Sequence, residues 1–243
     1  MRTVTRDSIS LRGAGVVTVA QQKKGHRFTL DSILLADFCR IKPHDRILEP
    51  GTGTGIISLL LAKKCPHARI TAVEVQTALA DLCRQNIIDN GLDDHIILLE
   101  QDIRALKGEL KTSIFDVIVA NAPYTKSGAG RRSPRPERLL SRHDRGTDIA
   151  AWLDLRIFLR NKGRYFLVFP ADRLSELISS LHMHRLEPKR IRLVHPYKGK
   201  PASLVLIEAV MSAGIGLEVL PPLIVHDAGS GYTEEMRHIY DLQ

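Results

Sequence analysis

Residues 46–64 read RILEPGTGTGIISLLLAKK, and the architecture of the chain follows from this stretch. Arg46–Glu49 is short and apolar and runs into a Pro-Gly turn, as a buried strand does. Thr54–Lys64 then reads as a helix. The glycines at 51, 53 and 55 let backbone approach a ligand closely, and the helix start offers free N–H groups. Their G-x-G-x-G spacing is not the G-x-G-x-x-G that holds a pyrophosphate. Glu49 stands two positions before Gly51, and a carboxylate there repels phosphate and welcomes a cation.

The alternation continues in both directions. Ile70–Val75, Ile96–Glu100, Phe115–Ala120 and Tyr165–Phe169 read as strands rich in apolar residues, as strands covered on both faces are. Thr77–Asn90, Asp148–Arg160 and Asp172–His182 read as helices, with Gly91 capping the first of them, and Ser203–Met211 adds a strand. Upstream, Val16–Ala20 reads as a strand and Gly25–Phe38 leads into a helix whose apolar face is Ile33, Leu34, Leu35 and Phe38. The pattern predicts an α/β, doubly wound, mostly parallel sheet with helices on both faces. Its ligand belongs beyond the carboxyl ends of the central strands. Lys126–Arg142, broken by Gly128, Gly130, Pro134 and Pro136, is expected as a long loop after a strand, where binding loops sit.

Two further acids stand at strand ends. Glu74 lies 23 residues after Gly51, where a carboxylate can accept both hydroxyls of a ribose. Asp102 follows the next strand in LLEQDI, placed for an adenine amino group, with Ile103 to pack on the ring. Three acids at three successive strand ends, without phosphate-binding spacing, point to a nucleoside-type cofactor that carries positive charge. S-adenosylmethionine has an ammonium, a sulfonium and no phosphate. The expected cofactor contacts are Glu49, Gly51, Thr52, Gly53, Glu74, Val75, Asp102 and Ile103, with Asn121 and Arg27.

Composition narrows the class. The 243 residues are 44% hydrophobic, and mean hydropathy is −0.08, which excludes a disordered chain and a membrane bundle. The longest nearly apolar run, Ile56–Ala62, is 7 residues and contains Ser58, far short of the roughly 20 a membrane span needs. Three cysteines (Cys39, Cys65, Cys83) without a CxxC pair argue against a disulfide framework or zinc site, so a reducing cytoplasm and no metal are expected. Net charge is +8 and clustered: residues 126–145 are net +5, residues 184–200 are net +5, and the other 206 are net −2. Basic segments on a nearly neutral body fit a polyanion such as nucleic acid.

Asn121-Ala122-Pro123-Tyr124 closes the fourth strand of the series. It resembles the Asn-Pro-Pro-Tyr signature of amino-group methyltransferases, in the slot where that signature belongs. An amine conjugated to a base is a poor nucleophile because its lone pair is delocalised. The resemblance implies that the Asn121 side-chain oxygen and the carbonyl of residue 122 accept its two N–H bonds, which positions and activates it. Tyr124 then offers a stacking face for an extruded base. Ala122 departs from the pattern by replacing the first proline, yet it keeps the accepting carbonyl, and Pro123 biases it toward extended backbone.

QKKGHRFTLDSILLADF, EPGTGTGIISLLLA, VIVANAPYTKSGAGR, SRHD and LIVHDAGSGYTEEMRHIY together resemble one bacterial family over nearly the whole chain. That family methylates the amino nitrogen of the adenine just 3′ of the anticodon in a valine tRNA. It implies a class I (Rossmann-like) methyltransferase fold, a seven-stranded mostly parallel sheet with a reversed last strand supplied by SLVLIEAVM. It also implies a single domain over residues 1–243, with 1–40 closing the cofactor pocket and 125–147 forming a basic substrate loop. Arg27 and Phe28 would close the pocket from the N-terminal side. Arg131, Arg132, Arg135 and Arg138 could clamp phosphates beside the flipped base, and Lys198 and Lys200 could extend the track.

Rival chemistries are close. The same motif serves methylation of a glutamine amide on release factors, in a family that carries a helical domain before its glycine motif, whereas 48 residues precede Glu49 here. Guanine-amine methylation of ribosomal RNA usually shows Phe where Tyr124 stands. A module that binds cofactor and RNA without turnover is the alternative from another class.

Overall fold

A computed structural model of the chain describes residues 4–23, 28–122 and 149–242. At its centre β3 (Arg46–Pro50) lies between β4 (Arg69–Glu74) and β6 (Phe115–Ala120), all parallel. The sheet runs β5 (Ile96–Glu100), β4, β3, β6, β7 (Leu159–Pro170), β9 (Leu204–Met211), β8 (Leu186–Tyr197), and β9 is antiparallel to both neighbours. Strand order reverses between β3 and β6, which opens a crevice at their carboxyl ends.

Seven strands were expected, and among the described residues the sheet has nine. The added pair, β10 (Glu218–Val219) and β11 (Leu223–His226), lines up parallel on the outer edge of β8. They are too short to show a period, and Pro221 and Pro222 separate them, which reads as a breaker. An edge position tolerates prolines because one side needs no ladder bond.

Successive residues of each central strand enter opposite cores. Ile47, Val117, Val119 and Phe166 face α1 (Leu30–Phe38), α2 (Ile56–Lys64) and α3 (Thr77–Asp89). Leu48, Ile118, Ala120 and Leu167 face α5 (Ile149–Leu153) and α6 (Leu174–Met183). A short α4 (Leu106–Glu109) follows β5, and α7 (Glu234–Ile239) closes the described chain. Residues 56–62 of α2 are buried without exception, so the helix has no polar stripe. Its outer side lies under a hairpin of β1 (Val4–Leu11) and β2 (Gly15–Gln22). The alternating sequence VTRDSISL concealed β1 as a polar N-terminus.

The expected helix Asp148–Arg160 is also corrected. It gives way after α5 to a tight 3-10 turn, Asp154–Phe158, and β7 begins at Leu159. The approach to β6 breaks the helix, because Ser113 and Ile114 donate their N–H groups to Ile157 and Phe158 at 2.9 and 3.0 Å.

Candidate active site

The glycine turn after β3 is shaped by three different neighbours. Gly51, Gly53 and Gly55 have φ of 65°, 61° and 89°. A Cβ at Gly51 would stand 2.7 Å from Cη2 of Trp152, and one at Gly55 2.8 Å from Cys83 Sγ, so both glycines admit a packed side chain. At Gly53 a Cβ would meet nothing within 4 Å, and this residue fronts open space. The turn is pinned by Thr52 N–H to Val73 C=O and by Gly53 N–H to Glu74 Oε2, both 2.9 Å.

Two buried carboxylates flank this turn. Glu49 accepts a bond from Ser58 Oγ. Burial pushes its pKa up to about 7; the Ser58 and Thr52 hydroxyls pull the other way, and the charge of Glu74 adds to the rise. Glu74 accepts from Gly53 N–H and Gln76 N–H with one oxygen each, which leaves a lone pair on each for a ligand hydroxyl. Val75 beside it is 59% exposed, unusual for an apolar residue at a strand end. Asp102 follows β5, next in the sheet to β4, and Arg104 grips its carboxylate through Nε and a terminal nitrogen at 2.6–3.1 Å. The Arg104 hydrogen bonds hold Asp102 below the usual carboxylate range. Ile103 packs at the edge of the core on the same side as Trp152.

Asn121 stands at the carboxyl end of β6, across the crevice from the glycine turn. Its Nδ2 donates to Ser32 Oγ at 3.0 Å, so Oδ1 remains as the acceptor. Ser32 belongs to α1, and α1 is held firmly. Lys64 Nζ donates to the C=O groups of Ala36 and Asp37 at 3.3 and 2.9 Å, capping the helix end. Arg190 donates to Phe38 C=O at 2.7 Å with its guanidinium 4.2 Å from the Phe38 ring centroid, and Glu208 neutralises it at 3.1 Å. Ala122 is buried in the cluster that contains Trp152, which fixes it without the missing proline.

Pro123, Tyr124, Arg27, Arg131, Arg132, Arg135 and Arg138, and with them the loop 125–147, lie outside the described residues. Phe28 is described: its N–H donates to Gln21 Oε1 at 3.3 Å, and it packs half-buried against the core. The basic stretch 184–200 does not form one face. Arg190 is buried, Arg192 bonds Pro221 C=O and Glu235, and Lys189 bonds Gly214 C=O. Lys198 and Lys200 are exposed past the carboxyl end of β8.

Sequence reading missed three residues that build the site. Ser32 lies inside an apolar helix pattern, and Trp152 lies inside the stretch expected as one long helix, where no local period signals its contact with Gly51. Asn86 lies on the buried face of α3; it is fully buried, accepts from Ala20 N–H (2.7 Å) and donates to the C=O groups of Ala20 (3.0 Å) and Thr54 (2.9 Å). It thereby ties the glycine turn to the hairpin.

Residues 13–134 match the family described as methyltransferase small domain. A Porphyromonas gingivalis (strain W83) protein named tRNA1(Val) (adenine(37)-N6)-methyltransferase is 30% identical over 77% of this chain and 75% of its own. The chain belongs to this methyltransferase family. A Bacteroides thetaiotaomicron protein of the same name is 28% identical over 92% of this chain and 94% of its own. The fold agrees: a predicted O-methyltransferase of Agrobacterium tumefaciens, Atu636, superposes with a TM-score of 0.71 at 22% identity, covering 87% of this chain and 96% of that one.

The methyl donor of this methyltransferase is S-adenosylmethionine, and the residues present fit it. Two buried carboxylates suit a cation and a vicinal diol, Gly53 leaves room for close approach, and exposed Val75 with Ile103 offers apolar cover for an aromatic base. Among the described residues no group of His, Cys, Asp and Glu could hold a metal ion, and no helix is long and apolar enough to cross a membrane.

Proposed function

We propose that this methyltransferase methylates the exocyclic N6 of an adenine in tRNA, the adenine just 3′ of the anticodon in a valine tRNA. The observation that carries the reading is the Asn121–Ser32 bond, which leaves an amide oxygen as acceptor at the switch point of the sheet. Bound S-adenosylmethionine supplies an electrophilic methyl group on a sulfonium. Glu49, Gly51, Thr52, Gly53, Glu74, Val75, Asp102 and Ile103 would hold it. Asn121 Oδ1 and the Ala122 carbonyl accept the two N–H bonds of the adenine amine and draw its lone pair out of conjugation. As the new N–C bond forms and the methyl–sulfur bond breaks, its electron pair returning to sulfur so that neutral S-adenosylhomocysteine leaves, positive charge grows on nitrogen, and the same two acceptors stabilise it until a proton leaves to water. Tyr124 stacks on the extruded base.

Residues 1–40 close the cofactor side through α1, and loop 125–147 carries Arg131, Arg132, Arg135 and Arg138 to the flanking phosphates. A tRNA substrate makes the cytoplasm the place of action. The test is transfer of labelled methyl to tRNA that lacks the modification, with digested nucleosides read by mass. A methyladenosine peak that Asn121→Ala abolishes is expected. Intact cofactor binding without transfer to tRNA would overturn the reading.

A further inference from the structure

We infer that the corner where β8 and β11 end is a second contact for the RNA, remote from the target base; the inference rests on the tRNA reading above. Through the registers Ala120–Leu167, Leu167–Ile207 and Ile207–Ile191, the end of β6 is level with Ile191. β8 runs on six residues to Tyr197, and beyond Val194 it pairs only with β11. The corner therefore projects past the rim that holds Asn121. Six residues at about 3.3 Å and three strand spacings of about 4.8 Å place Tyr197 roughly 25 Å from the end of β6. That is the length of about seven stacked nucleotides.

The corner is built for a nucleotide, a planar base beside an anionic phosphate. Tyr197 is 38% exposed, and its ring lies against His226 with centroids 5.2 Å apart. His226 stacks on Tyr232 at 5.5 Å and 13°, and Tyr232 on Tyr240 at 5.3 Å and 16°. Four rings form one ladder whose inner members are half-buried and whose outermost lies at the surface. Packing from within fixes the Tyr197 ring, so a base settling on it costs little side-chain entropy.

The following turn is equally ordered. Lys200 N–H closes it onto Tyr197 C=O at 3.1 Å with Gly199 at φ 76°, and Lys200 C=O accepts from His195 Nδ1 at 2.7 Å. It presents Lys198 and Lys200, both exposed. Asp227, the acid after His226, already accepts from Gly229 and Gly231 N–H at 2.9 and 3.0 Å. The exposed aliphatic residues of this edge, Ile215, Leu217 and Val219, belong to the opposite end, where β10 pairs with Arg190 and Ile191. An aromatic platform with two cations and no aliphatic patch is the chemistry that holds nucleic acid rather than protein.

The test measures binding of unmodified valine tRNA to the full chain over a salt series, with methyl transfer and S-adenosylmethionine affinity alongside. Tyr197→Ala is expected to weaken tRNA binding about tenfold, with KM for tRNA rising and cofactor affinity unchanged, and Tyr197→Phe to restore it. Lys198→Ala with Lys200→Ala should lower the slope of log affinity against log salt by about two. Unchanged tRNA affinity and salt slope in variants that still methylate tRNA would overturn the corner alone. A wild-type chain that neither binds nor methylates tRNA would overturn the corner and the proposed function together.

Discussion

Asn121 and Ser32 are 89 residues apart in sequence and 3.0 Å apart in space, and the bond between them decides which end of the Asn121 amide faces the crevice. A primary amide turned the other way presents an N–H donor to an amine that needs an acceptor. In the proposed mechanism Ser32 is a positioning residue, held on a helix with its own clamps. Ser32→Ala is expected to lower kcat about tenfold while KM for tRNA and cofactor affinity stay near wild type. Ser32→Thr, which restores the hydroxyl, should recover the rate. Steady-state kinetics of the two variants separate this role from a loss of folding, which would fell both.

Trp152 is the sole tryptophan of the chain, and its ring lies against Gly51. Titration with S-adenosylmethionine should therefore change intrinsic fluorescence, giving a direct binding signal without a label. Gly51→Ala would place a methyl 2.7 Å from the ring at a positive φ. We expect about 1–3 kcal/mol of destabilisation and weakened cofactor binding, read by thermal denaturation and the same titration.

Glu49 gives the cofactor site a pH dependence with a defined sign. Its pKa, raised from 4.5 to about 7 by burial, keeps the carboxyl largely protonated at mildly acid pH. A cationic ligand favours the ionised form. Affinity for S-adenosylmethionine should therefore rise as pH increases from 6 and level off above about 7. Stability of the free protein should move the other way, because the folded state retains a proton that the unfolded chain releases between pH 4.5 and about 7. Glu49→Gln should weaken binding and flatten the affinity profile, which calorimetry across pH would show.

Asn86 satisfies backbone groups of two separate segments from one buried side chain. Asn86→Leu keeps approximate volume but strands the N–H and C=O of Ala20 and the C=O of Thr54. A loss of about 3–5 kcal/mol is expected in chemical denaturation. Cofactor affinity should fall as well, since Thr54 belongs to the glycine turn.

The amino-acid order alone determined the strand, glycine turn and helix around residue 51, the acids at successive strand ends, and Asn121 closing β6. These are local facts: strand and helix periods span a few residues, and parallel strands deliver their carboxyl ends to one rim whatever the details of packing. Glu49, Glu74, Asp102 and Asn121 could therefore be read together as one site. Folding decided what no local period encodes. Ser32 sits in an apolar helix pattern and Asn86 in another, and each acquires its role from a backbone or side chain dozens of residues away. The clustered charge at 184–200 dissolved for the same reason, because Arg190 turns inward to Phe38 and Glu208 while Lys198 and Lys200 stand exposed beyond the end of β8. A strand sends alternate side chains to opposite faces, but which neighbour waits on each face is set by how the sheet, the hairpin and α1 close around one another.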